Sequence, residues 1–162
     1  MTAELPRIFI ARRDHARLER LAASALTERH PVSGFLISEL QRAVVCDTRD
    51  MPPAVACLNG WVTYRVDGSK HAESKILVCP DDFRSAQINL SVLSPLGAAL
   101  VGMCVGDRMK FFSLEGGLHF VILESLGAPA GAPLLFPFKG RQGIRQVPVE
   151  PSGPDDEGPT AA

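Results

Sequence analysis

Apolar residues recur along this chain in two rhythms, helical in the first third and strand-like after it. Residues 6–11 (PRIFIA) open with a short β-rich run that predicts a strand. Beyond it, Leu18, Leu21, Ala22 and Ala25 fall at spacings of three and four, which predicts an amphipathic helix capped by Asp14 and ending near Leu26. That is about 13 residues, or about 20 Å at 1.5 Å per residue. Thr27-Glu28-Arg29-His30-Pro31 breaks the pattern. Ser33 is placed to cap a second helix, with Val32 stapled on Ile37 and an apolar stripe of Leu36, Leu40, Ala43 and Val44. Two such helices joined by a short polar turn predict an antiparallel hairpin whose stripes bury each other.

Asp47 to Pro53 (DTRDMPP) ends the second helix and predicts a linker, because neither proline can continue a helix. From there the period drops to two. Strands are expected at Trp61–Val66, Ser74–Cys79 and 87–93, punctuated by Asp67-Gly68-Ser69 and Pro80-Asp81-Asp82. Ser94 then caps a short helix with Pro95 in its first position, Leu96 to Val101 as its body and Gly102 at its end. Val105-Gly106-Asp107 turns into a strand at Arg108–Leu114. Glu115-Gly116-Gly117 makes a hairpin turn, and Leu118–Leu126 returns. The order β-β-β-α-β-β predicts an α+β fold, an antiparallel sheet with one short helix on one face.

The composition bounds what this fold does. Apolar residues make up 46% of the 162, enough for a packed core. Formal net charge is -1 with mixed signs, which argues against a surface gripping nucleic acid by counterion release. No apolar run approaches the roughly 20 residues that span a bilayer, and no signal-peptide core follows the N-terminus, so a cytoplasmic location is expected. From Gly127 the character changes: seven of the thirteen prolines lie in the last 36 residues, which predicts a disordered tail over 127–162. Its apolar patch Leu134-Leu135-Phe136-Pro137-Phe138 is the part suited to packing back or binding. The expected division is thus 1–50 (strand and helical hairpin), 55–126 (sheet domain) and 127–162 (tail).

Chemistry is sparse. Cys46, Cys57, Cys79 and Cys104 form no C-x-x-C pair, and His15, His30, His71 and His119 are scattered, so neither metal nor cofactor is expected. The thiols read as reduced, small apolar side chains. Gly97 to Gly106 lacks the Lys and Ser/Thr of a phosphate loop, and its glycines read as cap and turns. Asp81-Asp82 follows a proline and reads as a turn rather than an acid–base pair. Ser91 and Ser94 sit in no nucleophile elbow, and the aromatic sequence of an RNA-stacking sheet is absent. The residues point to no enzyme.

What they do carry is a resemblance. The run Leu90-Ser91-Val92-Leu93-Ser94-Pro95-Leu96-Gly97-Ala98-Ala99-Leu100-Val101-Gly102, followed by Val105-Gly106-Asp107, resembles the C-terminal domain of Gre transcription elongation factors. Ile76-Leu77-Val78-Cys79-Pro80 matches its preceding strand. Gly116-Gly117 with Phe120-Val121-Ile122-Leu123-Glu124 matches its closing hairpin, so the likeness covers about residues 55–126. The first half, with Leu40-Gln41-Arg42-Ala43 through Asp50-Met51-Pro52, resembles the Rnk group, the regulators of nucleoside diphosphate kinase.

The resemblance implies an FKBP-like domain that binds bacterial RNA polymerase at the rim of the secondary channel, with a short coiled-coil hairpin. It implies a regulator of transcription elongation, with any DNA or RNA contact made through the polymerase and no membrane partner; a monomer is favoured. By motif position the polymerase contact would be Ser94, Pro95 and Leu96 with flanking Leu93, where Gre cleavage factors tend to carry a polar residue. The hairpin tip would be Glu28, Arg29 and His30. Gre-type cleavage uses an acidic tip on a long hairpin, and this tip has one acid, so competition with Gre factors without stimulated cleavage is implied. Two alternatives stand beside this reading. One is a peptidyl-prolyl isomerase, suggested by the fold, although fold does not carry function. The other is a modulator of nucleoside diphosphate kinase, suggested by the family name.

Overall fold

The computed structural model describes residues 4–132. Strand β1 (Phe9–Ala11) runs directly into helix α1 (Arg12–Thr27), and a tight turn leads to α2 (Ser33–Arg42) and strand β2 (Val44–Cys46). β2 returns parallel to β1 in a two-stranded sheet, with Phe9 opposite Val44. A parallel pair needs a long crossover, and the helical hairpin is that crossover.

Four local expectations are corrected here. Asp14 does not cap α1: Ala11 holds that position, and Asp14 lies in the first turn, where its charge meets the positive end of the helix dipole. α1 has 16 residues rather than 13. Ser33 does not cap α2 either; it is the first helical residue, and its hydroxyl donates back to the His30 carbonyl at 2.7 Å. Ala43 and Val44 leave the helical stripe, because α2 ends at Arg42 and Val44 starts β2.

The second half builds a five-stranded sheet in the order β5-β4-β3-β7-β6. Its members are β3 (Trp61–Val66), β4 (Glu73–Val78), β5 (Asn89–Ser91), β6 (Arg108–Phe112) and β7 (Leu118–Leu126). All pairs are antiparallel except β4 with β5, which run parallel. The residues between them, including a 3₁₀ turn at Pro80–Asp82, carry the chain back for that pairing. β5 is shorter than the expected 87–93, and β6 stops at Phe112, two residues short of Leu114.

Helix α3 (Pro95–Leu100) lies on the inner sheet face and also touches α2. Hairpin and sheet share one core: Ile8 and Ile10 of β1, Leu18 and Ala22 of α1, and Leu36 and Leu40 of α2 pack in the same cluster as Val62, Leu77, Ala99 and Leu123. Fully burying each leucine or isoleucine contributes about 1.5–3 kcal/mol. The hairpin is therefore held by the core it shares with the sheet, not by helix propensity.

No described helix is long and apolar enough to cross a membrane. Cys79 is buried, and burial raises its thiol pKa, as expected for an inert small side chain. Cys57 departs from that expectation and is exposed. Gly127 to Ala132 are described, whereas residues 133–162, with the Leu134–Phe138 patch, lie outside the described residues.

Candidate functional site

The segment between β5 and α3 is built from short-range hydrogen bonds. The Ser91 carbonyl accepts from both the backbone N–H and the hydroxyl of Ser94, at 3.0 and 2.6 Å. The Ser91 hydroxyl accepts from the Leu93 N–H at 3.1 Å, and Ser94 Oγ accepts from the Gly97 N–H at 3.0 Å. Ser94 is thus the expected helix cap, with Pro95 in the first helical position. Leu93, Ser94, Pro95 and Leu96 are all half-buried. Their backbone is fixed before any partner arrives, which lowers the ordering cost of an interface.

The glycines of this run have a steric reason. A Cβ on Gly97 would lie 1.9 Å from the Ser91 carbonyl oxygen, so α3 can approach β5 this closely only with glycine there. Gly102, at φ 83°, sits 3.1 Å from the Phe9 carbonyl oxygen by the same measure, and its own carbonyl accepts from the Phe9 N–H at 2.9 Å. That contact ties the end of the α3 segment to β1.

The hairpin tip is closed just as tightly. His30 N–H reaches the Ala25 carbonyl at 2.8 Å, and Arg29 takes a left-handed φ of 57°. His30 Nδ1 accepts from the Val32 N–H at 3.2 Å, which leaves Nε2 to carry the ring proton. Glu28 and Arg29 are exposed and His30 half-buried. Glu28 is the one acid of the turn, so no second carboxylate converges there on a hard cation. Among the described residues no group of three or more His, Cys, Asp or Glu is arranged to hold a metal. No hydrogen bond or ion pair joins the tip to the 93–96 segment among the described residues.

A small cleft lies between β1, the start of α1 and residues 56–58. It is lined by Phe9, Ile10, Ala11, Asp14, Ala56, Cys57, Leu58 and Val101. Phe9 is its one aromatic wall, unlike the aromatic cage that a prolyl isomerase would need.

Two features escaped sequence reasoning. The carboxylate of Glu39, a residue 1% exposed, accepts from Nε and Nη2 of the Arg42 guanidinium at 2.9 and 2.5 Å, and Arg42 Nη1 donates to the Pro6 carbonyl at 2.5 Å. Spacing i,i+3 permits such a pair, but nothing in the pattern says it is buried. The other is the outer face of β6 and β7, where Phe112 and Leu118 stay 62% and 49% exposed. The alternation of Arg108, Lys110 and Phe112 with Met109 and Phe111 was the available signal.

Comparison with known proteins agrees with this architecture. Residues 6–45 match the family model of the Rnk N-terminus, and residues 52–124 that of the transcription elongation factor GreA/GreB C-terminal domain. The regulator of nucleoside diphosphate kinase of Escherichia coli K12 is 33% identical over 129 residues, 78% of this chain and 94% of that protein. The chain belongs to this regulator family. A transcription elongation factor GreA from Chlorobium phaeobacteroides is 32% identical over 93 residues, 56% of this chain and 58% of that protein. Among solved structures, a prokaryotic GreA/GreB elongation factor from Nitrosomonas europaea superposes with a TM-score of 0.61 at 32% identity, covering 75% of this chain and all of that one. Family membership makes this chain a regulator of the elongation-factor type.

Proposed function

We propose that this regulator binds bacterial RNA polymerase at the rim of the secondary channel through Leu93, Ser94, Pro95 and Leu96, within a functional unit spanning 55–126. The observation that carries the reading is the match of residues 52–124 to the GreA/GreB C-terminal domain, with its most distinctive run folded into the rigid 93–96 segment. Ser94 already spends its hydroxyl on Ser91 and Gly97, so a partner meets mainly the Pro95 ring and the half-buried leucines. Leu93, where cleavage factors tend to be polar, makes that contact more apolar. Any contact with nucleic acid is made through the polymerase, and any effect on nucleoside diphosphate kinase follows from transcription.

The test is co-elution of the full chain with core polymerase. Pro95→Ala leaves the Ser94 cap in place and should weaken binding about tenfold, the scale of a central interface residue. Wild-type affinity in a folded Pro95→Ala protein would show that the contact lies elsewhere.

A further inference from the structure

The β6–β7 hairpin presents a surface distinct from the 93–96 segment. Among the described residues β6 is the last strand of its sheet, and one side of its backbone has no strand beside it. The Leu123 N–H to Asp107 carbonyl bond and the Ser113 N–H to Gly117 carbonyl bond bracket the ladder at 3.2 and 2.9 Å. Antiparallel geometry alternates, so residues 109 and 111 bond toward β7. The N–H and C=O groups of Arg108, Lys110 and Phe112 therefore point to the open edge.

The same three residues set the chemistry of the outer face. Register places Phe112 beside Leu118, Lys110 beside Phe120 and Arg108 beside Ile122. Arg108 lies over the Phe120 ring, 4.0 Å from its centroid. Neither Arg108 nor Lys110 has an ion-pair partner among the described residues. The edge thus offers two cations followed by an apolar site, with an open hydrogen-bonding ladder alongside.

We propose that β6 is a docking edge for an extended acidic segment of a partner protein, which adds as a sixth strand. Cross-strand pairing asks that strand for acids at two alternating positions, opposite Arg108 and Lys110, and an apolar side chain opposite Phe112. Charge opposes the symmetric competitor: antiparallel self-pairing of two β6 edges centred on Lys110 would set lysine against lysine. Single-stranded RNA fits less well, because the Phe120 ring already lies under Arg108 and Phe112 is then the one exposed ring on β6, too few for a base-stacking platform.

The probe is the peptide Thr-Val-Thr-Glu-Thr-Glu-Thr, which in antiparallel register sets Val opposite Phe112 and the acids opposite Lys110 and Arg108, titrated into the full chain and followed by amide NMR shifts and hydrogen exchange. Saturable binding should slow exchange at the amides of Arg108, Lys110 and Phe112 while leaving Met109 and Phe111 unchanged. Lys110→Glu should weaken binding about tenfold, since one attractive pair becomes a repulsive one. Phe112→Ser, at an exposed site, should weaken it with the fold intact. Four results would overturn the assignment: equal binding of a peptide with Lys in place of Glu; preference for a labelled oligouridine; a dimer in sedimentation that Phe112→Ser dissolves; or displacement of the probe by a synthetic peptide of residues 133–139. None of these bears on polymerase binding through Pro95, so the two proposals fail separately.

Discussion

At Gly97 one hydrogen atom separates a folded site from a clash. Gly97→Ala would drive a methyl carbon against the Ser91 carbonyl oxygen, which also anchors Ser94, and neither backbone can retreat without breaking the cap. The expected loss exceeds about 3 kcal/mol, read as a lower urea midpoint or failure to fold. Asp67 is a gentler case. Its carboxylate bonds His119 Nδ1 at 2.6 Å and accepts from the Phe120 N–H at 2.8 Å, joining the β3–β4 turn to β7. The His119 bond, then the backbone bond, hold its pKa below the ordinary 3.8. A depressed pKa gives stability that is present above the unfolded value and lost as pH falls through the folded one. Asp67→Asn keeps the shape and the left-handed φ of 50° but removes the charge. Its melting temperature should lie about 2 °C below wild type at pH 7, and the gap should close as pH falls below 3.8. A gap that persists in acid would assign the effect to packing.

Between elements, the Glu39–Arg42 pair decides how α2 sits against the segment leading into β1. Arg42→Ala would leave the buried Glu39 carboxylate and the Pro6 carbonyl without their donor, at a cost of about 3 kcal/mol in chemical denaturation. The double variant Glu39→Leu with Arg42→Met removes both charges and should recover much of that loss; equal loss in single and double variants would rule out the buried charge as the cause. The same elements show what a sequence can carry. β3, α3 and β7 were legible because each rests on local rules: alternation, a Ser-Pro helix start and a Gly-Gly turn. β2 was not, because Val44 to Cys46 continue an apolar helical stripe and become a strand only by pairing with a partner 35 residues earlier. The cap positions failed for a similar reason. Asp14 and Ser33 have the right side chains, but β1 runs without a break into α1, and His30 offers Ser33 a nearer acceptor. Of the 93–96 segment, the cap was legible and the Gly97 contact was not, since it depends on where β5 passes.

For the whole molecule, the decisive quantity is reach set against chemistry. If the regulator docks at the channel rim as proposed, its hairpin enters the channel, and α1 with 16 residues extends about 24 Å. That is longer than its pattern suggests but still only four to five turns. A Gre-type hairpin stimulates cleavage by bringing converging carboxylates to a second magnesium ion, which helps generate the attacking water. Here the end of the hairpin holds Glu28 beside Arg29, and His30 is bound into the turn through its Nδ1. A single carboxylate is a poor ligand set for a cation that needs several hard oxygens. Occupancy should therefore come without catalysis. With a backtracked elongation complex and magnesium, adding this protein should release no short 3′ RNA above the intrinsic rate of the polymerase. Titrating it against a fixed amount of a Gre factor should slow Gre-induced cleavage, with half-inhibition tracking its affinity for the polymerase. Pro95→Ala should shift that half-inhibition upward about tenfold, in step with its weaker binding. Cleavage stimulated by the regulator alone would overturn the argument from the tip, whereas unaltered Gre activity at saturating regulator would overturn the shared rim.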